Sequence, residues 1–258
     1  MSLSNAWPSG DPAIEACRTS RGVAVVRVVL WDVDHTLVDM GGVGRELSAQ
    51  AFERVTGVVM RQQAKIDGIT EAVIFRETAR LHGLTTDRDD FERFAAALAE
   101  AHLLRRGEVR QRGHALAGAA AALQAVADMG GVMQTVVTGN VREVARFKLH
   151  TFGLDRAIAW EAGAFGEDDD ARAELVRIAV KRAAALYGGP LEPHEAVVVG
   201  DTPADVEAAM QNGVPVIAVA TGRSGVEELR EAGASCVLPD LRDTTRFLAA
   251  LHDPAHCP

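Results

Sequence analysis

This chain is poor in lysine and cysteine and has no long apolar run. The longest valine-rich stretch, residues 23–31, is broken by Arg27 and falls far short of the ~20 residues a membrane-spanning helix takes. A basic excess is also missing: 27 Lys+Arg stand against 36 Asp+Glu, a formal net charge of −9. That balance argues against a nucleic-acid or anionic-membrane binder, because either needs a positive face. The three cysteines, Cys17, Cys236 and Cys257, are scattered and form no C-x-x-C pair. They make neither a disulfide framework nor a zinc site, and they fit a cytoplasmic protein. Residues 1–21 contain Pro8, Gly10 and Pro12 but no signal-peptide core, so a poorly ordered leader is expected there. Ammonium groups come from Lys65, Lys148 and Lys181 alone.

What the chain does have is four short valine-rich runs, at residues 23–31, 132–137, 196–199 and 214–219. They lack clean alternation, as strands of a parallel sheet buried on both faces do. Further strands are expected at 157–160 and, at an edge, 235–238. Helical patterns fall between them at 115–129, 141–152, 171–186, 203–211 and 225–232, several ending at a glycine. This alternation predicts an α/β fold with a parallel, Rossmann-like sheet flanked by helices. Residues 40–112 break the rhythm: they carry no valine-rich strand and read as helices at 45–55, 69–82 and 90–106. On the last, Phe91, Phe94, Leu98 and Leu103 recur near helical spacing. The expected organisation is an α/β core at 22–39 and 113–258, with a small all-helical second domain at 40–112 inserted after the first strand.

Chemistry concentrates at the strand ends. The first strand runs into Trp31-Asp-Val-Asp-His-Thr-Leu37, and side-chain alternation points Asp32 and Asp34 the same way. Ligand sites of open α/β sheets form at that carboxyl edge. Two adjacent carboxylates are tolerable where a cation binds or one holds a proton. The second strand ends in Thr138-Gly139-Asn140 before a helix, a geometry that suits a phosphate but equally a helix cap. The run at 196–199 is followed by Gly200-Asp-Thr-Pro-Ala-Asp205, which adds two carboxylates at the same edge, with Thr202 or Asp201 able to cap the next helix.

Together, D-x-D-x-T, a hydrophobic run ending T-G-N, and another ending G-D-x-x-x-D resemble the haloacid dehalogenase-like hydrolase superfamily. Residues 138–149 and Asp67-Gly-Ile-Thr-Glu71 are similar to its phosphoglycolate-phosphatase-like members. The resemblance implies that the insert is a helical cap. It also implies a phosphatase in which Asp32 attacks phosphorus and Asp34 protonates the leaving oxygen and then activates water. Mg²⁺ would be held by Asp32, the Asp34 backbone carbonyl and Asp201, with Asp205 in support. Thr138 and the N–H groups of Gly139 and Asn140 would grip phosphoryl oxygens. A carboxyl at Asp34 favours phosphate-ester over carbon–halogen cleavage, because an alkoxide needs a proton and a halide does not. The implied substrate is a small phosphorylated metabolite, handled by a monomer or homodimer. The alternatives are a phosphosugar mutase, a phosphonatase that would use Lys65, or a non-catalytic binding protein.

One family feature is missing: no Gly-Lys-Pro stretch supplies the cation beside the phosphoryl group. Arg172, at the start of a helix after the acidic loop 167–170, is the favoured substitute. Lys148 ranks second, because it lies eight residues past Asn140, roughly 12 Å along a helix axis, and Lys181 ranks third.

Overall fold

A computed structural model describes residues 26–254, so the expected leader lies outside the described residues. Five strands form one parallel sheet: β1 (Val28–Trp31), β4 (Met133–Val136), β5 (Ala196–Gly200), β6 (Val216–Val219) and β7 (Cys236–Leu238), in the order β4-β1-β5-β6-β7. Helices α5 (Ala119–Asp128), α6 (Arg142–Thr151), α7 (Arg172–Tyr187), α8 (Pro203–Gln211), α9 (Val226–Glu231) and α10 (Thr244–His252) flank it. The α/β reading of the sequence therefore holds. Val29 and Trp31 pack into one buried cluster with Val197, Val199 and Phe247, while Val28 and Leu30 pack into another with Val198, Leu175 and Val206. Period-two alternation with both faces buried is what gives β1 its unbroken apolar sequence. Trp31 donates its indole N–H to Gln134, whose amide in turn donates to the Leu123 carbonyl, so this buried polar pair is satisfied.

The long helical segment sits between two very short strands, β2 (Val38–Asp39) and β3 (His114–Ala115), which pair antiparallel and bring the segment's two ends together. It contains α1 (Val43–Thr56), α2 (Glu71–Leu81), α3 (Arg88–Leu104) and α4 (Arg106–Arg112). Phe52, Phe75, Phe91, Phe94 and Leu98 build its apolar centre, which also takes in Val144 and Phe147 from α6. Phe75 stacks on Phe94 with ring centroids 4.5 Å apart.

Several local expectations change. No strand forms at 157–160; the chain there makes isolated bridges, from Ile158 to Gln134 and from Ala164 to Val137, around a 3₁₀ turn at Trp160–Ala162. Leu103 is not part of the buried stripe of α3. It is 57% exposed, and His102 takes the buried place beside it, because Phe91, Phe94 and Leu98 continue at helical spacing to 101 and 102. Cys236 is disulfide-bonded, so cysteine spacing carries no argument for a reducing compartment; Cys17 and Cys257 lie outside the described residues. Among the described residues no helix is long and apolar enough to cross a membrane.

The sequence reading also lacked α10, although Asp243 caps its first turn through the Arg246 N–H. Its Phe247 is fully buried against Trp31, the last residue of β1 before Asp32, with ring centroids 5.4 Å apart. Phe247→Ala is expected to destabilise the protein by about 3–5 kcal/mol, measured by denaturant unfolding.

Candidate active site

Three neighbouring strands deliver the site. In register, Trp31 of β1 lies beside Val136 of β4 and Val199 of β5. The residues just beyond, Asp32, Thr138 and Asp201, therefore leave the sheet at one edge. The Asp32 N–H donates to the Val199 carbonyl and the Val137 N–H to the Trp31 carbonyl, which pins the first turn past the strands. His35 then adopts a left-handed backbone (φ 59°), and its carbonyl accepts from the Thr221 hydroxyl. Such a conformation is costly for a residue with a side chain and is held here by surrounding bonds.

Carboxylate oxygens of Asp32, Asp201 and Asp205 lie within 4.8 Å of one another, and all three residues are buried. One cation enters the cluster from the protein itself. Arg172 donates to Asp32 Oδ1 at 2.7 Å through Nη2 and to Asp205 Oδ1 at 2.7 Å through Nε. Asp205 is further engaged: its Oδ2 accepts from the Thr202 N–H and hydroxyl in a capping box at the start of α8. Thr202, not Asp201, is thus the cap. Asp201 accepts one side-chain bond, 3.2 Å from the Thr36 hydroxyl, and otherwise faces the cleft. A Cβ at Gly222 would lie 1.8 Å from Asp201 Oδ2, so a side chain there would displace the carboxylate. Nothing in the sequence pattern marked Gly222.

A second cluster lies beside the first. The Lys148 ammonium is 2.6 and 2.7 Å from the two Asp34 oxygens and 2.7 Å from Asn140 Oδ1. Asn140 Nδ2 donates to Asp34 at 2.7 Å and to the Thr138 hydroxyl at 2.8 Å. Lys148 was expected to be too far along its helix to reach this point. The reach exists because α6 begins only at Arg142, with Val141 at the N-cap. The Cα–Cβ bonds of a helix also tilt toward its N-terminus, and the four-carbon stem lies buried along it. Lys181 is exposed on α7 and is not among the residues lining the cleft.

The Thr138-Gly139-Asn140 turn departs from its reading as a helix cap. No side chain caps α6, and the Asn140 N–H donates to the Thr138 hydroxyl. Gly139 is a docking point for the helical segment: its carbonyl accepts from the Glu71 N–H at 2.8 Å, and a Cβ on it would sit 2.4 Å from the Ile69 oxygen. Thr70 stands at the N-cap of α2 but turns its hydroxyl to the Asp170 carbonyl.

The haloacid dehalogenase-like hydrolase profile matches residues 26–213, well over half the chain. The protein belongs to this family of hydrolases. No curated protein matches the sequence. Among solved structures, a hydrolase from Pseudomonas syringae is 20% identical, covers 86% of this chain and 98% of its own, and superposes with a TM-score of 0.61. A proposed β-phosphoglucomutase from Bacteroides vulgatus is 18% identical over 95% of this chain and 96% of its own (TM-score 0.62). A predicted phosphoglycolate phosphatase from Haemophilus somnus 129pt is 16% identical over 86% and 98% (TM-score 0.59). At these identities the likeness is one of fold.

For a haloacid dehalogenase-like hydrolase the electrostatics of the two clusters differ in a useful way. Burial pushes the Asp201 and Asp32 carboxyls upward; mutual repulsion and Asp205 add to this, and Arg172 opposes it. With all three carboxyls ionised, three negative charges face one guanidinium, an excess of two. Hard oxygen donors with that excess fit a divalent cation such as Mg²⁺. Burial acts to raise Asp34 too, yet the charge and hydrogen bonds of Lys148, with help from Asn140, hold it below the usual carboxylate range. Two groups of the helical segment complete the cleft. Burial raises Glu71 to about 7, with Lys148 opposing and Asp34 adding. Burial also lowers His102 to about 4, with Lys148 adding while the Leu98 carbonyl and Asp34 oppose.

His102 supplies a pH test. Its folded pKa lies below the ordinary 6.5, so on acidification the unfolded chain takes up the proton first and stability is lost. His102 therefore contributes a loss of stability between about pH 6.5 and pH 4, opposed over the same interval by the raised carboxyls of Glu71, Asp32 and Asp201, which add stability as they take up protons. In thermal melts the Tm of His102→Gln minus that of wild type should rise on going from pH 6.5 to pH 4.

Proposed function

We propose that the protein is a Mg²⁺-dependent phosphomonoester hydrolase that acts on a small phosphorylated metabolite through an aspartyl-phosphate on Asp32. The observation that carries this reading is the acidic cluster of Asp32, Asp201 and Asp205 standing next to a carboxyl, Asp34, that already has a proton-bearing partner in Lys148. The fold of the phosphatase and phosphoglucomutase neighbours is consistent with it.

Asp32 and Asp201, with the Asp34 backbone carbonyl, would hold Mg²⁺, and Asp205 acts from behind by anchoring Arg172. Bound there, the ion supplies positive charge to the phosphoryl oxygens, the main need of phosphoryl transfer. Arg172 holds Asp32 Oδ1 and so orients the carboxylate, leaving Oδ2 to attack phosphorus. The Thr138 hydroxyl accepts from Asn140, which directs its own proton toward a phosphoryl oxygen.

While Lys148 pairs with Asp34, that carboxyl stays ionised. An entering phosphoryl group competes for the ammonium and lets Asp34 rise toward protonation. Asp34 then gives its proton to the leaving alkoxide and takes one from the water that opens the aspartyl-phosphate. The helical segment roofs the cleft and acts as its cap.

A mutase is the second reading. It rests on the same Asp34, which would take the proton of a substrate hydroxyl instead of water, so that the phosphoryl group leaves Asp32 for that hydroxyl, as the fold of the β-phosphoglucomutase neighbour allows. Asp32→Asn is expected to abolish Mg²⁺-dependent phosphate release while keeping the wild-type circular dichroism spectrum. Mg²⁺ should raise the Tm of wild type and leave that of Asp201→Asn unchanged. Unaltered turnover by Asp32→Asn would end the proposal, and isomer formation without free phosphate would favour the mutase.

A further inference from the structure

Residues 57–70 join α1 to α2 without forming a helix or a strand, yet Gln63, Lys65, Ile66, Asp67 and Gly68 all line the cleft. A segment with no ladder of its own must find partners for its backbone N–H groups elsewhere. Two of them go to α2 and its end. The Ala64 N–H donates to the Thr78 hydroxyl at 3.1 Å, and the Arg61 N–H donates to His82 Nε2 at 2.9 Å. Thr78 and His82 stand one helical turn apart, so two acceptors in a row meet two N–H groups of the loop.

The imidazole is committed at both nitrogens. Its Nδ1 lies 2.8 Å from the Thr78 carbonyl, which can only accept, so Nδ1 carries the proton and Nε2 keeps the lone pair that Arg61 uses. Phe52 of α1 packs against the ring, with centroids 5.2 Å apart. Neither His82 nor Thr78 lines the cleft, so any effect they have on a substrate passes through the loop. The loop's other end is held from the sheet side: Gly68 packs on Ala204 and Thr202, and Asp67 lies 3.3 Å from Arg223.

A loop released from α2 would have to be ordered each time a substrate binds, and that cost is taken from affinity. The reacting groups are held separately. Asp32 and Asp34 follow β1, and their partners Arg172 and Lys148 come from α7 and α6. We propose that His82 is a positioning residue for substrate binding: by accepting the Arg61 N–H it holds residues 57–66 in the shape the bound substrate meets. It therefore sets KM and not the chemical step. The proposal rests on the phosphatase reading and adds to it a residue outside the cleft.

The test separates the ring from its lone pair. His82→Phe keeps a ring against Phe52 and loses the acceptor, whereas His82→Gln loses the ring and keeps an acceptor oxygen. Wild type is first assayed with Mg²⁺ on p-nitrophenyl phosphate, glycerol 3-phosphate, phosphoglycolate and glucose 6-phosphate, and the variants on the ester with the highest kcat/KM. His82→Phe should raise KM about threefold to tenfold, the worth of one net hydrogen bond, with kcat held within about twofold. His82→Gln should bring KM back toward wild type. Thr78→Val, which removes the neighbouring acceptor, should raise KM as His82→Phe does. Amide exchange followed by NMR on substrate-free wild type, corrected for intrinsic rates, should be slower at Arg61 and Ala64 than at Gln62 and Lys65.

A folded His82→Phe with wild-type KM overturns the proposal, as does a loss confined to kcat. A KM raised by His82→Gln and not by His82→Phe also overturns it, because packing on Phe52 would then be the whole role. Should His82→Phe fail to fold, an unchanged KM in Thr78→Val decides against it. Equal exchange at the four N–H groups does so without any variant. In all these cases phosphate release by wild type leaves the phosphatase reading standing. A wild type that releases phosphate from none of the four esters sinks both.

Discussion

Crowding of like charge at one sheet edge is the constraint around which this molecule is arranged. Asp32, Asp201 and Asp205 are buried together, and burying ionised groups is tolerable only when they are paired or meet a cation. Arg172 meets two of them and leaves the third, Asp201, with a single neutral donor. The arrangement is therefore polarised: one side is closed by a guanidinium on a rigid helix, and the other opens on the cleft. A fourth carboxyl, Asp34, is kept apart from this crowd by its own ammonium, Lys148. Two carboxyls of one short loop are thus given opposite tendencies by their surroundings, which is how a nucleophile and an acid–base group can coexist two residues apart.

Much of this was legible in the sequence, because the rule that places ligand sites at the carboxyl ends of parallel strands converts a one-dimensional pattern into a location. Asp32, Thr138 and Asp201 each follow a valine-rich run, and register alone brings them together. The residues that were not legible depend on side-chain direction or close approach. Lys148 was placed too far away by counting axial rise from Asn140, which ignores where α6 starts and which way its side chains lean. Gly222 and Gly139 look like any loop glycines until the backbone or carboxylate that a Cβ would strike is known.

The helical segment shows the same division. Its aromatic stripe was visible as a period, but the period alone did not decide whether 102 or 103 faces inward. The structure buries the histidine and exposes the leucine, at the cost of an imidazole nitrogen without a hydrogen-bond partner among the described residues. In an apolar stripe a histidine is a poorer filler than leucine. Its place there, within the field of Lys148 and Asp34, is a conflict between local packing and the arrangement of the charged groups.

The contact between insert and sheet edge explains why the two halves of the cleft cannot be treated separately. The Glu71 N–H docks on the Gly139 carbonyl, and Gly166 packs so closely on that bond that a Cβ would lie 1.9 Å from the Gly139 oxygen. Gly68 packs onto Ala204 in the first turn of α8 and onto Thr202, the residue that caps α8 and holds Asp205. The helical segment therefore rests on the same two turns that hold Thr138 and Asp205. A shift of that segment by even the width of a methyl group would be felt at both, because backbone packed against backbone has no side chain to absorb the displacement. Substrate fit under the helices and alignment of the charged groups below them are, by this construction, a single mechanical variable.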